Sequence, residues 1–530
     1  MAKRICVIGA GASGICCIKE CLDVGLHVVC YEKVDYTGGL WRYHESDVDG
    51  IASVTRATVI NSSKEMSAYS DFPPFDHLPN YCHNSQLIQY FDSYADRFGV
   101  RKYVKFQHEV VSVTQHSDYE ETGRWKVRVR DNQSNTEIEE IFDGVLVCTG
   151  HHVKPFQPTF KDQDKFKGKI IHTHSYKRPN GYEDKEVAVV GVGNSGVDAA
   201  VELSMVAKQV YLSTRRGTWV LIRVGPNGLP FDMLYLRRVY AFFQSILPYS
   251  LICYVIERFL NSRFDHERYG LKPTHRVWSQ HPTVNDALPN RILSGTVKVK
   301  GDIVHFTENG VLFEGDKQET ALDVVVLATG YEVSFPFLDP SVLDTTGNEC
   351  YLYKYAFNPN LTHPETLCFI GLAQPTGPLI PISELQARWF CQLMTGGAKL
   401  PAKEKMRADI DQKRAAMAKR YYAGPRHTLQ VDWCDFMDQV AGEFGVRPSL
   451  WKYLFTDPSL WWHLLWGPLV PYQFRLTGPG QWHGARQAIM SVKQRVVHAL
   501  ATRPVPRSDP TIADRLCKAV AALLPAHFSL

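Results

Sequence analysis

The chain has almost no surplus of charge of either sign: 59 Lys and Arg stand against 55 Asp and Glu over 530 residues. A formal net charge of +4 gives no electrostatic footprint for nucleic acid, so none is expected as a partner. Metal-type cysteine pairing is missing as well. The 13 cysteines run from Cys6 to Cys517 with no CxxC and no Cys/His cluster at zinc spacing, so they read as reduced and mostly buried, and no metal site is expected. The apolar stretch Val239 to Ile256 has 18 residues without a formal charge, but Gln244, Pro248 and Ser250 interrupt it. It reads as a helical pair, buried or lying on a surface, rather than a span. Lys3-Arg4 before Ile5 to Ile18 imitates a secretory signal, yet Gly9, Gly11 and Gly14 within it belong to another pattern, and the final Phe528-Ser529-Leu530 carries no KDEL-type retrieval signal. With 45% apolar and 22% charged residues, extensive disorder is excluded.

What is present is a strand-turn-helix-strand order that occurs twice. Lys3 to Ile8 is an apolar run, GAGASG a glycine turn, Ile15 to Val24 helical in composition and His27 to Tyr31 a second strand. Glu186 to Val190, GVGNSG, Val197 to Met205 and Gln209 to Ser213 repeat that order. Two further apolar strands, Gly144 to Gly150 and Leu322 to Tyr331, read as the closing strands of the two units, apolar on both faces as a covered parallel sheet requires. The fold class is therefore α/β, with two Rossmann-like dinucleotide-binding domains, a helical insertion and a C-terminal region suited to a membrane surface. The expected divisions are 1–155 and 331–445 for the first domain, 156–214 and 296–330 for the second, 215–295 for the insertion and 446–530 for the C-terminal region. In that last region Leu460 to Trp466 is dense in tryptophan but too short to cross a bilayer, and Ile512, Leu516, Val520, Leu523 and Leu524 recur at helical spacing.

Each glycine of the first loop has a role in holding a pyrophosphate. Gly9 makes the tight turn, Gly11 lets backbone amides approach the phosphates and Gly14 lets the helix pack on the strand, with the helix N-terminus facing the anion. Glu32, 23 residues after Gly9, stands where a carboxylate accepts ribose hydroxyls. Gly38-Gly39-Leu40-Trp41 is a second glycine turn that can line the same pyrophosphate. The second loop supplies Gly191, Gly193, Asn194, Ser195 and Gly196, but the residue at the offset of Glu32 is Thr214. Ser213-Thr214-Arg215-Arg216 offers hydroxyls and two guanidinium forks in place of an acid, which suits a ribose 2′-phosphate. Arg223 is a more distant candidate for that phosphate. The first site thus favours an unphosphorylated adenosine, as in FAD, and the second NADP(H). A disulfide reductase is disfavoured, because the C-x4-C pair Cys16 and Cys21 falls inside the first phosphate-binding helix.

Phe166-Lys-Gly168-Lys-Ile-Ile-His172-Thr-His-Ser-Tyr176 matches the FxGxxxHxxxY fingerprint of the flavin-containing monooxygenases. With GAGASG, Asn61-Ser-Ser-Lys-Glu-Met, LSTRRG, the ATGY strand end and Leu385-Gln-Ala-Arg-Trp389, the chain resembles that family, in its vertebrate type, over essentially its whole length. Cys148-Thr-Gly-His-His and Ser279-Gln-His-Pro-Thr-Val-Asn-Asp further resemble its Baeyer-Villiger-active member. The resemblance implies FAD and NADPH as cofactors, and oxygenation by O2, through a C4a-hydroperoxyflavin, of nucleophilic nitrogen or sulfur in small lipophilic compounds. Ketone oxygenation and an NADPH oxidase releasing hydrogen peroxide are the alternatives. It also implies a catalytic Asn61, whose amide donates near the flavin C4a, with Ser62 beside it at the cofactor. His172 then links the two domains through hydrogen bonds, with Phe166 and Tyr176 as packing residues, and His281 is a candidate for influencing ketone oxygenation. The implied location is the endoplasmic-reticulum (microsomal) membrane, cytosolic face. Asp514, Arg515, Lys518 and Pro525 in the tail favour in-plane attachment over a spanning anchor. Self-association stays open.

Overall fold

The computed structural model describes residues 2–48, 50–421, 424 and 428–503. Within them lie two parallel five-stranded sheets. In the first, the order is Leu367–Phe369, Gly144–Val147, Arg4–Ile8, His27–Glu32, Val104–Phe106, with Ile5 opposite both Val28 and Gly144. In the second, the order is Val297–Lys300, Gln209–Ser213, Glu186–Val190, Val324–Leu327, Lys169–His172. The inner strands are apolar at successive positions, not alternating ones, because helices or loops cover both faces; Ile5, Val7, Val187 and Val189 are fully buried.

The repetition goes further than the sequence suggests. Each unit places its first strand at the centre, its second strand on one side and the strand expected to close it on the other. Those presumed closing strands are not at an edge. Beyond them lie Leu367–Phe369 in one sheet and Lys169–His172 in the other, added from distant parts of the chain. Each unit also carries a three-stranded antiparallel meander before its inner closing strand: His108–Gln115, Trp125–Asp131 and Glu137–Phe142 in the first, Ile303–Phe306, Gly310–Phe313 and Thr320–Ala321 in the second.

Helix Ala12–Asp23 packs on Ile380–Thr395, which is buried along nearly its whole length. Arg475, arriving from the C-terminal region, is buried against Glu20, Asp71 and Glu384, and Lys19 reaches Glu20, Asp23 and Asp71. Removing one member would leave a buried charge without its counter-ion, so this network makes the far C-terminal chain integral to the first unit. The 12 described cysteines are all buried and free. Cys16 donates to the Ser13 carbonyl and Cys21 faces Cys391, so the C-x4-C pair is packing, as expected.

Within the insertion, Val220–Leu221 and Thr283–Val284 form a short parallel ladder, which is held on the second unit where Thr283 donates to the Val192 carbonyl and Asn285 to Asp198 Oδ1. The uncharged stretch forms two helices, Arg238–Ile246 and Tyr249–Asn261, broken at Leu247-Pro248. Cys253, Ile256 and Leu260 face inward, whereas Phe242, Phe243, Ile246, Leu251, Tyr254 and Val255 are exposed. No described helix is long and apolar enough to cross a membrane. Leu460 and Leu464 of helix Pro458–Trp466 are core residues, and this helix packs against Arg238–Ile246. The amphipathic pattern expected at 512–524 lies outside the described residues.

Candidate functional site

In the first cradle a strand ends on Gly9, whose φ of +95° only glycine adopts without strain. A Cβ on Gly14 would stand 1.9 Å from the Gly9 carbonyl oxygen, so helix and turn can approach this closely only because both residues are glycine. Gly38 donates to the Ala10 carbonyl at 3.0 Å, and Gly11 and Gly39 meet backbone to backbone. The second glycine turn, which continues into Leu40 and Trp41 as one 3-10 turn, therefore does line the first. Helix Ala12–Asp23 begins at Gly11 with no side-chain cap and no acid in its first turn, which leaves its leading N–H groups for an anion.

Glu32 is buried at the end of its strand. Ala10 N–H donates to its Oε2 at 2.6 Å and Val34 N–H to its Oε1 at 3.2 Å. Burial raises its pKa, opposed by those two backbone bonds. The carboxylate thus braces the glycine turn and keeps lone pairs for a further donor such as a ribose hydroxyl. Thr149, adjoining Gly9, has a buried hydroxyl with no partner in the protein, and both ring nitrogens of buried His151 lack one too. An unsatisfied buried hydroxyl beside an uncapped helix is the polar lining a nucleotide would complete. These residues were not singled out as ligands from the sequence, although the Cys148-Thr-Gly strand end marks their place.

The second cradle repeats the geometry. Gly191 has φ +114°, and a Cβ on Gly196 would lie 2.1 Å from the Gly191 carbonyl oxygen. A Cβ on Gly193 would meet nothing within 4 Å, so its Cα faces open space where a phosphate could approach. Helix Asn194–Leu203, with Ser195 in its first turn, again starts uncapped by a side chain. Asn194 is partly committed, because its Oδ1 accepts from Val284 N–H at 2.8 Å and anchors the insertion over the loop. Ser213 is buried and donates to the Gly301 carbonyl at 2.8 Å. Thr214 Oγ1 accepts from Gly217 N–H at 2.9 Å and keeps its own hydrogen to donate. Arg215 and Arg216 are exposed beside it, with Asp302 of the neighbouring turn 3.9 Å from Arg215.

Arg223 is not with them. Its Nη2 donates to Asn61 Oδ1 at 2.6 Å and to the Val59 carbonyl at 3.4 Å, so it serves the first unit's loop, not the second unit's phosphate position. With the Asn61 oxygen engaged by a cation, its amide NH2 is the free donor. The rest of this loop is buried and held from three sides. Ser62 bonds Ser67 at 2.7 Å, Lys64 donates to three carbonyls between Phe75 and Leu78, and Glu65 takes Arg495 and Tyr472 from the C-terminal region.

The histidines behave as structural groups. His172 Nδ1 accepts from His174 N–H at 3.0 Å, its ring meets Tyr331 edge-on, and burial pushes its pKa down to about 4, with His174 adding to the fall. It is neutral at physiological pH and joins the edge strand to the turn after Val324–Leu327. Phe166 packs on Phe306 and Tyr176 is buried. His281 faces Gln430 at 3.4 Å, with its pKa lowered by burial.

This geometry of two repeated cradles agrees with a flavin-binding monooxygenase-like family model that matches residues 2–529. The chain belongs to that family. It is a flavoprotein monooxygenase. It is 50% identical to the rat flavin-containing monooxygenase 5 over 509 residues, 96% of this chain and 95% of that protein. It is 42% identical to the rat dimethylaniline monooxygenase (N-oxide-forming) 2, over 99% of this chain and 98% of the other. Among solved structures, the S-allyl-L-cysteine S-oxygenase of Allium sativum superposes with a TM-score of 0.65 at 21% identity, covering 93% of this chain and all but 1% of its own. A steroid monooxygenase bound to NADP superposes with 0.60 at 18% identity, over 83% of this chain and 97% of its own. At those identities the structures establish the shared fold.

Proposed function

We propose that the chain is an NADPH- and O2-dependent monooxygenase of nucleophilic nitrogen or sulfur centres in small lipophilic compounds, with FAD in the first cradle and NADPH in the second. The observation that carries this reading is the pairing of Arg223 with Asn61. A residue that follows the second cradle fixes the amide of a loop beside the first, so the two nucleotide sites are tied at one point. The relative named for N-oxide formation supports the substrate class.

Each residue's part follows from its geometry. Gly9, Gly11, Gly14 and Gly39 with the uncapped helix would hold the FAD pyrophosphate, and Glu32 a ribose. Gly191, Gly193, Asn194, Ser195 and Gly196 would hold that of NADPH, and Thr214, Arg215 and Arg216 its 2′-phosphate, with Ser213 shaping the strand end. Bound flavin would supply the reaction with O2. Asn61 NH2 would donate to developing negative charge on oxygen, and the buried Ser62–Ser67 wall would keep water out.

The exposed apolar side chains of the insertion support attachment to a membrane surface, which we place on the cytosolic face of the endoplasmic reticulum. Trp451 and Phe455, 76% and 80% exposed, extend that character into the C-terminal region. Stoichiometry tests the reading: one sulfoxide or N-oxide per NADPH from a thioether or tertiary amine supports it. Hydrogen peroxide without oxygenated product would make the chain an oxidase, and an ester from a ketone in preference to either would make it a Baeyer-Villiger enzyme.

A further inference from the structure

Asp232 is the only carboxylate the insertion sends into the Asn61 loop among the described hydrogen bonds. It is 5% exposed, in the short helix Asp232–Tyr235. Ser63 N–H donates to its Oδ2 at 2.6 Å, while Tyr81 O–H and Met233 N–H donate to its Oδ1 at 3.2 and 3.0 Å. Tyr81 O–H also reaches the Arg223 carbonyl at 2.9 Å. The contacts close a ring: Asp232 holds Ser63, two residues from Asn61, Asn61 accepts from Arg223, and Arg223 is tied through Tyr81 back to Asp232. No lysine or arginine forms an ion pair with Asp232 among the described residues. A buried carboxylate without a counter-ion is costly, and the fold keeps one here only where three donors converge on it.

We propose that Asp232 is a positioning residue for Asn61, setting the loop backbone from the insertion side while Arg223 sets the amide. This rests on the reading of Asn61 as the oxygen-facing donor. The carboxylate is required as such, since an amide at this position would turn an NH2 against either Ser63 N–H or the Tyr81 and Met233 donors. Burial pushes the Asp232 pKa up to about 6, against the pull of its three hydrogen bonds. The titratable groups facing it are the phenols of Tyr81 and Tyr235, both raised well above the ordinary range by burial and by Asp232 itself. The carboxylate is therefore ionised and the ring complete above about pH 6, and it weakens as pH falls below that.

The test compares Asp232→Asn, Tyr81→Phe and Asn61→Ala. Losing a charge-assisted hydrogen bond predicts about tenfold faster hydrogen–deuterium exchange in the peptide covering residues 58–68 of FAD-free Asp232→Asn, with the Gly9 peptide unchanged. The FAD-loaded variant should release more hydrogen peroxide per NADPH, and the rise in that fraction expected of the parent below about pH 6 should be absent from it. Tyr81→Phe should shift exchange the same way by less, and it decides the question if Asp232→Asn does not fold. Unchanged exchange in the 58–68 peptide overturns the positioning role. So does unchanged coupling in Asp232→Asn while Asn61→Ala uncouples. If Asn61→Ala leaves coupling intact, the reading of Asn61 falls, and the exchange result still judges whether Asp232 holds the loop.

Discussion

The two glycine loops are built on the same strand order and the same close contact of turn and helix, yet they open onto opposite surroundings. The first is roofed by a second glycine turn, ends its strand on a buried carboxylate and leaves a threonine hydroxyl unsatisfied inside. The second faces open space at Gly193 and ends on Thr214, Arg215 and Arg216 at the surface. One cradle is enclosed and the other open. The difference lies in the flanking residues, because the backbone of the turn is common to both.

The largest expected effect shows where the cradles are alike. Gly14→Ala and Gly196→Ala each put a methyl about 2 Å from a backbone oxygen, so both should cost on the order of 3 kcal/mol or fail to fold, read by thermal denaturation. Unequal losses would break the equivalence. Gly193→Ala, by contrast, should leave melting unchanged and weaken NADPH binding. Next comes the asymmetry of charge. Arg215→Ala combined with Arg216→Ala should raise the NADPH Kd by about tenfold to a hundredfold and leave NADH nearly unaffected, as loss of charge-assisted bonds to one phosphate requires. Equal losses for both nucleotides in a binding titration would remove the phosphate assignment. Glu32→Ala orphans the buried Ala10 N–H, so FAD should dissociate more readily and stability fall by about 1–3 kcal/mol, measured as flavin retained on gel filtration.

The smallest effect concerns acid. His172 has its pKa depressed by burial to about 4, so the stability it lends is present above its unfolded value and is lost as pH falls from about 6.5 towards 4. Exchange at Lys169–His172 should rise in that window, and His172→Gln should remove the rise.

Much of this was legible in the chain. The paired glycine patterns and the apolar inner strands specify two parallel sheets, and Glu32 against Thr214 an acid at one strand end and none at the other, because each depends on spacing within about 25 residues. The edge strands Leu367–Phe369 and Lys169–His172 were not legible as such, since a short strand takes its place in a sheet from partners more than a hundred residues away. Arg223 reads as one more basic residue near Arg215 and Arg216 until the fold carries it to Asn61. Asp232 gives no signal in an insertion of aromatic and basic residues.

The order of residues by itself determined the turns, the helices that follow them and the sign of charge at each strand end, all of which are local consequences of glycine φ angles, apolar periodicity and side-chain type. Only the tertiary structure decided that an arginine and an aspartate from the insertion meet the loop of Asn61. That meeting depends on how Thr283 and Val284 fasten the insertion to Val192 and Asn194 of the second unit, long-range contacts that no local preference encodes.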